Sequence, residues 1–233
     1  MESKPKNRWR SDIEFLEQGD IYFFYKPKKE VVLVKGWDDV ARFYFVLDPQ
    51  GQALPRYIVM GNKKMPSFAD GDQKTTWGFV QIIGGKGFAT TLTQTPARQK
   101  TASRPAGEGI YTIVKHGDHV HLLYALELPR KSGRVQKEFN ISSQANYIFS
   151  TRDVTVSPSS PEQPFSNFSP ADLSKLNQKG TEVLLIGIGA DITRLGLAAD
   201  RDQETLQTAD IFSSLKVDIT RHPIGSLISG EWE

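Results

Sequence analysis

Short runs of aromatic and β-branched residues, separated by polar turns, dominate the first two thirds of the chain. Such runs are typical of strands, and the Pro, Gly, Asn and Asp clusters between them are typical of turns. Five strands are predicted in this part of the chain, within IYFFYK (21–26), EVVLVK (30–35), RFYFVLD (42–48), RYIVMG (56–61) and WGFVQII (77–83). Further strands are predicted within FATTLTQ (88–94), GRVQKEFNIS (133–142), ANYIFSTRDVTV (145–156) and TEVLLIGIG (181–189).

Helix signals are fewer. Ser11 and Glu14 have the spacing of a capping box, which predicts a short helix that ends at Gly19. Ser169 before Pro170 has the pattern of an N-cap followed by proline, which predicts a second helix through ADLSKLNQ.

Two more helical segments are considered. GWDDVARF (36–43) is compatible with a helical turn before its strand. ETLQTADIFSSLK (204–216) carries apolar residues every three positions, which favours a helix over a strand. The residues of this stripe are Leu206, Ala209, Phe212 and Leu215.

The order of strands before helices predicts an α+β protein that is mostly β, with an antiparallel strand-rich body. We expect a basic body over residues 1–156 that includes the short N-terminal helix, and a Ser/Pro-rich linker over 157–170. A smaller, acidic α/β segment follows over 171–233. A segment of that size is close to the limit for an independent core, so we expect it to pack on the body.

Charge is distributed unevenly along the chain. Lys and Arg outnumber Asp and Glu by 23 to 15 through Arg152, whereas the balance is 6 to 12 from Asp153 onward, and the net charge is +2. One interpretation is that the basic part binds an anionic partner; the other is that the two parts attract each other and cancel within one fold.

The sequence contains no cysteine, which excludes disulfides, thiol catalysis and thiolate metal sites. It has no apolar run long enough to span a membrane and no secretory signal pattern, so a cytoplasmic location is expected. LLIGIGADITRLG departs from the dinucleotide-binding fingerprint at Ile192, and no G-x-S-x-G nucleophile motif occurs. No cofactor is expected.

Three of the four histidines lie close together in IYTIVKHGDHVHLLYALEL (110–128). Gly117-Asp118 is typical of a two-residue hairpin turn, in which His116 would pair with His119 and Val114 with His121. The three imidazoles would then share the face opposite the core, as the solvated tip of a hairpin. The alternative is a metal site formed by His116, His119 and His121.

Lysines adjoin the aromatic strands in KPKK and GNKK, and an arginine follows in SRPAGEG. These side chains are the candidate binding residues Lys26, Lys28, Lys29, Lys63, Lys64 and Arg104. Basic groups beside exposed aromatic residues would suit single-stranded nucleic acid. The structural alternative is that the lysines protect strand edges and turns from aggregation.

The phrases GDIYFFYKP, RPAGEGIY and the C-terminal GEWE, together with WDDVARFYFVL and HLLYALELP, resemble a family of bacterial proteins that includes cyanobacterial members. The resemblance spans most of the chain and implies no particular activity, cofactor or catalytic residue. It implies that only His121 of the histidine cluster has a counterpart in the family.

These observations favour a non-enzymatic binding or assembly module, with a protein as the expected partner and the basic, aromatic surface of the body as its binding surface. Two alternatives are an enzyme with a pocket between the two parts that uses the histidines, and a module that binds RNA or single-stranded DNA.

Overall fold

The structure is a computed structural model that describes residues 12–52, 54–68, 74–84, 102–153, 155, 165–195, 208–215 and 222–232. Its strands are β1 (Ile13–Pro27), β2 (Val40–Pro49), β3 (Arg56–Met60), β4 (Thr75–Ile83), β5 (Arg104–His116), β6 (His119–Leu128), β7 (Gln144–Arg152), β8 (Ser169–Pro170) and β9 (Glu182–Gly189). The expected mostly β class with antiparallel strands is confirmed. The predicted strand FATTLTQ lies outside the described residues.

Eight of these strands close into an antiparallel barrel. The order around it is β6-β5-β1-β2-β3-β4-β9-β7, and β7 pairs again with β6 to complete the ring, while β8 adds to the edge of β7. Because β9 lies between β4 and β7, the predicted C-terminal segment supplies a strand that the barrel requires.

The helices are short and lie around the barrel. They are α1 (Arg134–Glu138), α2 (Leu173–Leu176), α3 (Asp210–Ser213) and α4 (Gly225–Ile228), with 3-10 turns at Trp37–Asp39 and Thr193–Leu195. The turn at Trp37–Asp39 confirms the helical turn considered for GWDDVARF. Of the helix predicted over 204–216, the described residues 208–215 contain only the four-residue helix α3, so that prediction is confirmed in part. Within the described ranges no helix is long and apolar enough to cross a lipid bilayer.

Apolar side chains fill the barrel interior, as the two-residue period of its strands dictates. The interior cluster includes Ile21, Phe23, Tyr25, Phe43, Phe45, Leu47, Ile58, Ile113, Leu122, Tyr124, Tyr147 and Leu185. The alternate residues of β1, β2 and β3 form a second cluster on the outer face, which Ala209, Ile211, Leu215 and Leu227 cover. A third cluster joins the outer face of β5 and β6 to Ile192 and Leu195.

The predicted N-terminal helix is wrong, because residues from Ile13 onward form β1. Glu14, taken from sequence as part of a capping box, lies opposite Lys115 of β5. Gly19 permits close strand pairing rather than ending a helix, since a Cβ at this position would lie 2.1 Å from the carbonyl oxygen of Asp48. Pairing on both sides of β1 outweighs the local capping signal.

Three other local predictions also fail. Residues 30–35 form a loop, and the segment predicted as a strand over 133–142 contains α1. The helix predicted through ADLSKLNQ is present as α2, but its predicted start is wrong. Ser169 is part of β8, and Asp172 is the N-cap of α2, where its carboxylate accepts the backbone N–H of Ser174. The side chain of Gln136 accepts a hydrogen bond from the N–H of Gly133 and so caps the start of α1. This cap stabilises a helix where the sequence pattern predicted a strand.

Candidate functional site

One end of the barrel gathers most of the basic residues singled out from sequence. We call it the basic end and define it as residues 26–42, 61–66, 129–138 and 230–232. These segments carry eleven Lys and Arg side chains and five Asp and Glu side chains. The fold therefore concentrates positive charge from four separate stretches of sequence on one surface.

Hydrogen bonds hold the segments of the basic end together. The N–H of Met65 donates to the carbonyl of Phe139 at 2.9 Å, and the N–H of Trp37 donates to the carboxylate of Glu138 at 2.9 Å. Trp232 packs edge-on against Phe139 at a centroid distance of 5.5 Å and donates its indole N–H to Glu138. These contacts close this end of the barrel over the interior cluster.

The loop from Lys28 to Gly36, which we call the valine loop, presents two apolar side chains to solvent. Val32 is 75% exposed and Leu33 is 62% exposed. Their neighbours point the other way: Val31 packs on the interior cluster and Val34 is buried. The loop thus anchors its outer valines and leaves its central pair in water.

Backbone contacts fix the valine loop in this conformation. Arg104 is buried, and its guanidinium donates to the carbonyl of Val32 at 2.7 Å. Asp39 closes the base of the loop, because its carboxylate accepts the N–H of Lys35 and its carbonyl accepts the N–H of Lys28. Arg104, a candidate binding residue from sequence, therefore positions the loop and is not itself on the surface.

The lysines of the basic end differ in exposure. Lys28, Lys29 and Lys35 are exposed, whereas Lys63 and Lys64 are half-buried. The ammonium group of Lys63 donates to the carbonyl of Val40 at 2.9 Å and lies 4.0 Å from the centre of the Trp37 ring. This geometry stabilises Lys63 in place by a hydrogen bond and a cation–π contact.

Two lysines of the basic end, Lys26 and Lys63, have a pKa below the usual value of a lysine. Burial and the charge of Lys28 lower the pKa of Lys63, which Asp38 partly offsets. Burial and the charge of Arg42 lower the pKa of Lys26. For both lysines burial is the main cause of the lowered pKa, and a neighbouring cation adds to it.

The histidine hairpin confirms the predicted pairing. His116 lies opposite His119 and Val114 lies opposite His121, and Gly117 has a φ of 58°, which suits the turn. The expected solvent exposure of all three rings is wrong. His119 is exposed and His116 is half-buried, but His121 is buried, with a nitrogen 2.9 Å from the amide oxygen of Asn146.

The burial of His121 follows from the closure of the barrel. β7 pairs with the side of β6 that the hairpin alone leaves open, and Ile148 lies opposite His121. Burial lowers the pKa of His121, the hydrogen bond to Asn146 raises it, and the charges of His116 and His119 lower it. Among the described residues no group of three His, Asp or Glu side chains is arranged to hold a metal ion.

A groove of about 400 Å³ lies on the outer surface of the barrel, away from the histidines. Its lining residues are Gln18, Gly19, Asp20, Asp48, Pro49, Gln50, Ile110, Tyr111 and Thr112. Burial raises the pKa of Asp48 there. The structure does not bring the three histidines to this groove.

Sequence reasoning missed the exposed pair Val32 and Leu33 because the β propensity of EVVLVK predicts a strand. It also passed over the basic residues of 129–138, which lie far from the valine loop in sequence. A signal was present in Lys28 and Lys29, which precede the valine run with Glu30 between, and in Lys35 directly after it. Scans against protein-family models, curated proteins and solved structures find no match to this chain.

Proposed function

We propose that this protein is a non-enzymatic binding module that engages a partner with clustered negative charge through its basic end. The observation that carries the proposal is the charge of that end, eleven Lys and Arg against five Asp and Glu, next to an exposed apolar pair. Complementary charge steers such a partner to the surface, and apolar contact then holds it. The proposal keeps the cytoplasmic location expected from sequence.

A binding role accords with the packing of the barrel. Aromatic and aliphatic side chains occupy its interior, so the barrel is a packed core and not a ligand cavity. The histidines of the enzyme alternative lie at a hairpin tip and are absent from the lining of the groove. The described surface thus gives more support to binding than to catalysis.

The aromatic residues next to the lysines do not form a binding face. Tyr22, Phe23, Phe24 and Tyr25 of β1 are fully buried, as are the aromatic residues of β2. Binding of single-stranded nucleic acid depends on exposed aromatic rings on which bases stack. This arrangement weakens the nucleic-acid alternative and moves the binding surface from the strands to the loops.

The proposal is tested by comparing matched charge variants on immobilised poly-L-glutamate, eluted with a salt gradient. Lys28→Gln/Lys29→Gln removes two exposed charges from the basic end, and Lys115→Gln/Lys179→Gln removes two exposed charges elsewhere. We expect the first variant to elute at clearly lower salt and the second to elute close to the wild type. Equal shifts would show that only net charge matters and would contradict a defined binding surface.

A further inference from the structure

We infer that the basic end docks on the surface of an anionic lipid bilayer, with Val32 and Leu33 inserted among the headgroups. This inference rests on the proposed function and names the partner. Val32 and Leu33 are adjacent in sequence and are among the most exposed large apolar side chains of the described residues. Exposed lysines stand on both sides of them, with Lys28 and Lys29 before and Lys35 after.

The exposed pair is held outward by the fold. A loose loop could turn these side chains inward, but burial of Val34 and the contacts of Asp39 fix the chain on both sides of the pair. The loop therefore presents a preformed apolar tip, and inserting it requires no rearrangement that would reduce affinity.

Insertion also requires that backbone polar groups near the tip remain hydrogen-bonded when water is removed. The carbonyl of Val32 already accepts a hydrogen bond from the buried Arg104. This carbonyl therefore keeps a hydrogen-bond partner within the protein when the tip enters the headgroup region.

The chemistry of the tip favours lipid over protein. The residues that dominate protein–protein binding energy are Trp, Tyr and Arg, while Val and Leu are under-represented and Lys is depleted from interfaces. Around the pair, three exposed lysines outnumber the one exposed carboxylate of the loop, Glu30. Aliphatic side chains with this excess of lysines suit a bilayer, because the aliphatic groups enter the acyl boundary and the ammonium groups remain at the phosphates. Each Lys near an anionic membrane contributes about 1 kcal/mol, or roughly a fivefold gain in affinity.

The first experiment is co-sedimentation with vesicles of phosphatidylcholine alone or with about one third phosphatidylserine. We expect binding to the anionic vesicles only. Val32→Asp/Leu33→Asp should reduce it at least tenfold, and Lys28→Gln/Lys29→Gln should reduce it by roughly 25-fold, at about fivefold per lysine. Phe15→Asp is the matched control, because Phe15 is 61% exposed near the start of β1, at the end of the barrel opposite the basic end, and the variant should bind like the wild type.

The second experiment locates the tip in the bilayer. Because the chain contains no cysteine, Leu33→Cys creates a unique attachment site for an environment-sensitive fluorophore such as NBD. We expect a blue shift and increased emission from this label on addition of anionic vesicles, and no change from a label at Phe15→Cys, which lies at the opposite end of the barrel. A label at residue 33 that stays in water while the protein is bound would overturn insertion.

The outcomes separate the two proposals. Loop-dependent retention on poly-L-glutamate without vesicle binding would overturn the lipid inference, indicate an acidic protein surface and leave the proposed function standing. If the protein showed neither loop-dependent retention on poly-L-glutamate nor vesicle binding, both the proposed function and the lipid inference would be refuted. The inference would also be overturned if the protein bound neutral and anionic vesicles equally. It would likewise be overturned if Val32→Asp/Leu33→Asp, shown to be folded by its melting transition, bound anionic vesicles as well as the wild type.

Discussion

A buried ion pair at the end of the barrel opposite the basic end gives the sharpest stability prediction. Arg56 donates to both carboxylate oxygens of Glu17, at 2.5 and 2.8 Å, and the two side chains are only 1% and 3% exposed. Tyr111 donates its hydroxyl to the same carboxylate at 2.7 Å, and Arg56 also donates to the side-chain oxygen of Asn177 at 2.8 Å. Each guanidinium nitrogen of Arg56 and each carboxylate oxygen of Glu17 therefore has a hydrogen-bond partner.

Replacing Glu17 by Gln keeps the shape of the side chain but leaves the guanidinium of Arg56 buried without a counter-charge. Removing one partner of a buried pair costs about 3–5 kcal/mol of the free energy of unfolding. For a chain of this length that corresponds to a fall in Tm of roughly 6–20 °C. Urea denaturation followed by circular dichroism measures the free energy of unfolding directly.

Two comparisons make this prediction specific. Glu17→Leu/Arg56→Met removes both charges and should be less destabilised than Glu17→Gln, because no unpaired ion remains. Arg134→Gln breaks an exposed pair, in which the guanidinium lies 3.5 Å from Glu138, and should cost less than about 1 kcal/mol. A cost for Glu17→Gln as small as that of Arg134→Gln would refute the reasoning.

Three further predictions concern stability. Burial lowers the pKa of His121 below its usual 6.5, so the free energy of unfolding should fall as the pH drops below 6.5. Urea unfolding at pH 7.5 and at pH 5 measures this loss. The loss should be smaller in His121→Gln. Gly109→Ala would place a Cβ 2.0 Å from the carbonyl oxygen of Ala125 and should lower the free energy of unfolding by about 3 kcal/mol or more. A Cβ at Gly189 would have no atom within 4 Å, so Gly189→Ala should be nearly neutral in the same assay. Gln136→Leu removes hydrogen bonds to three backbone groups and should lower the unfolding free energy by about 3 kcal/mol or more; a loss under about 1 kcal/mol would show that water replaces them.

Strands buried on both faces were the easiest elements to predict from sequence. Continuous aromatic and β-branched runs such as IYFFYK are compatible with few structures other than a buried strand. In this fold one set of alternate residues enters the barrel, and the other is covered from outside. The β5–β6 hairpin was also predictable to the residue, because Gly117-Asp118 fixes its register. Closure into a barrel was not predictable, since it depends on β9 pairing with β4 and β7 far along the chain.

Local signals failed where long-range contacts decide the structure. Glu14 fits a helix cap in sequence, yet β5 is available to pair with that segment and a strand forms. EVVLVK has high β propensity, but Glu30 adopts a φ of 74° and the chain turns out of the sheet. That second failure concealed the proposed binding surface, because the apolar residues expected inside a strand include the exposed pair Val32 and Leu33.

Most of the described acidic side chains after Arg152 make their contacts outside the basic end. Glu182 accepts a hydrogen bond from Arg152 at 2.6 Å, and Asp172 caps α2. Asp153 and Asp191 accept hydrogen bonds from the threonines two residues further on. Among the described acidic residues after Arg152, Glu231 lies at the basic end, where its carboxylate accepts a backbone N–H. Among the described residues, the positive charge around the valine loop is therefore offset by few acidic side chains from the C-terminal part of the chain.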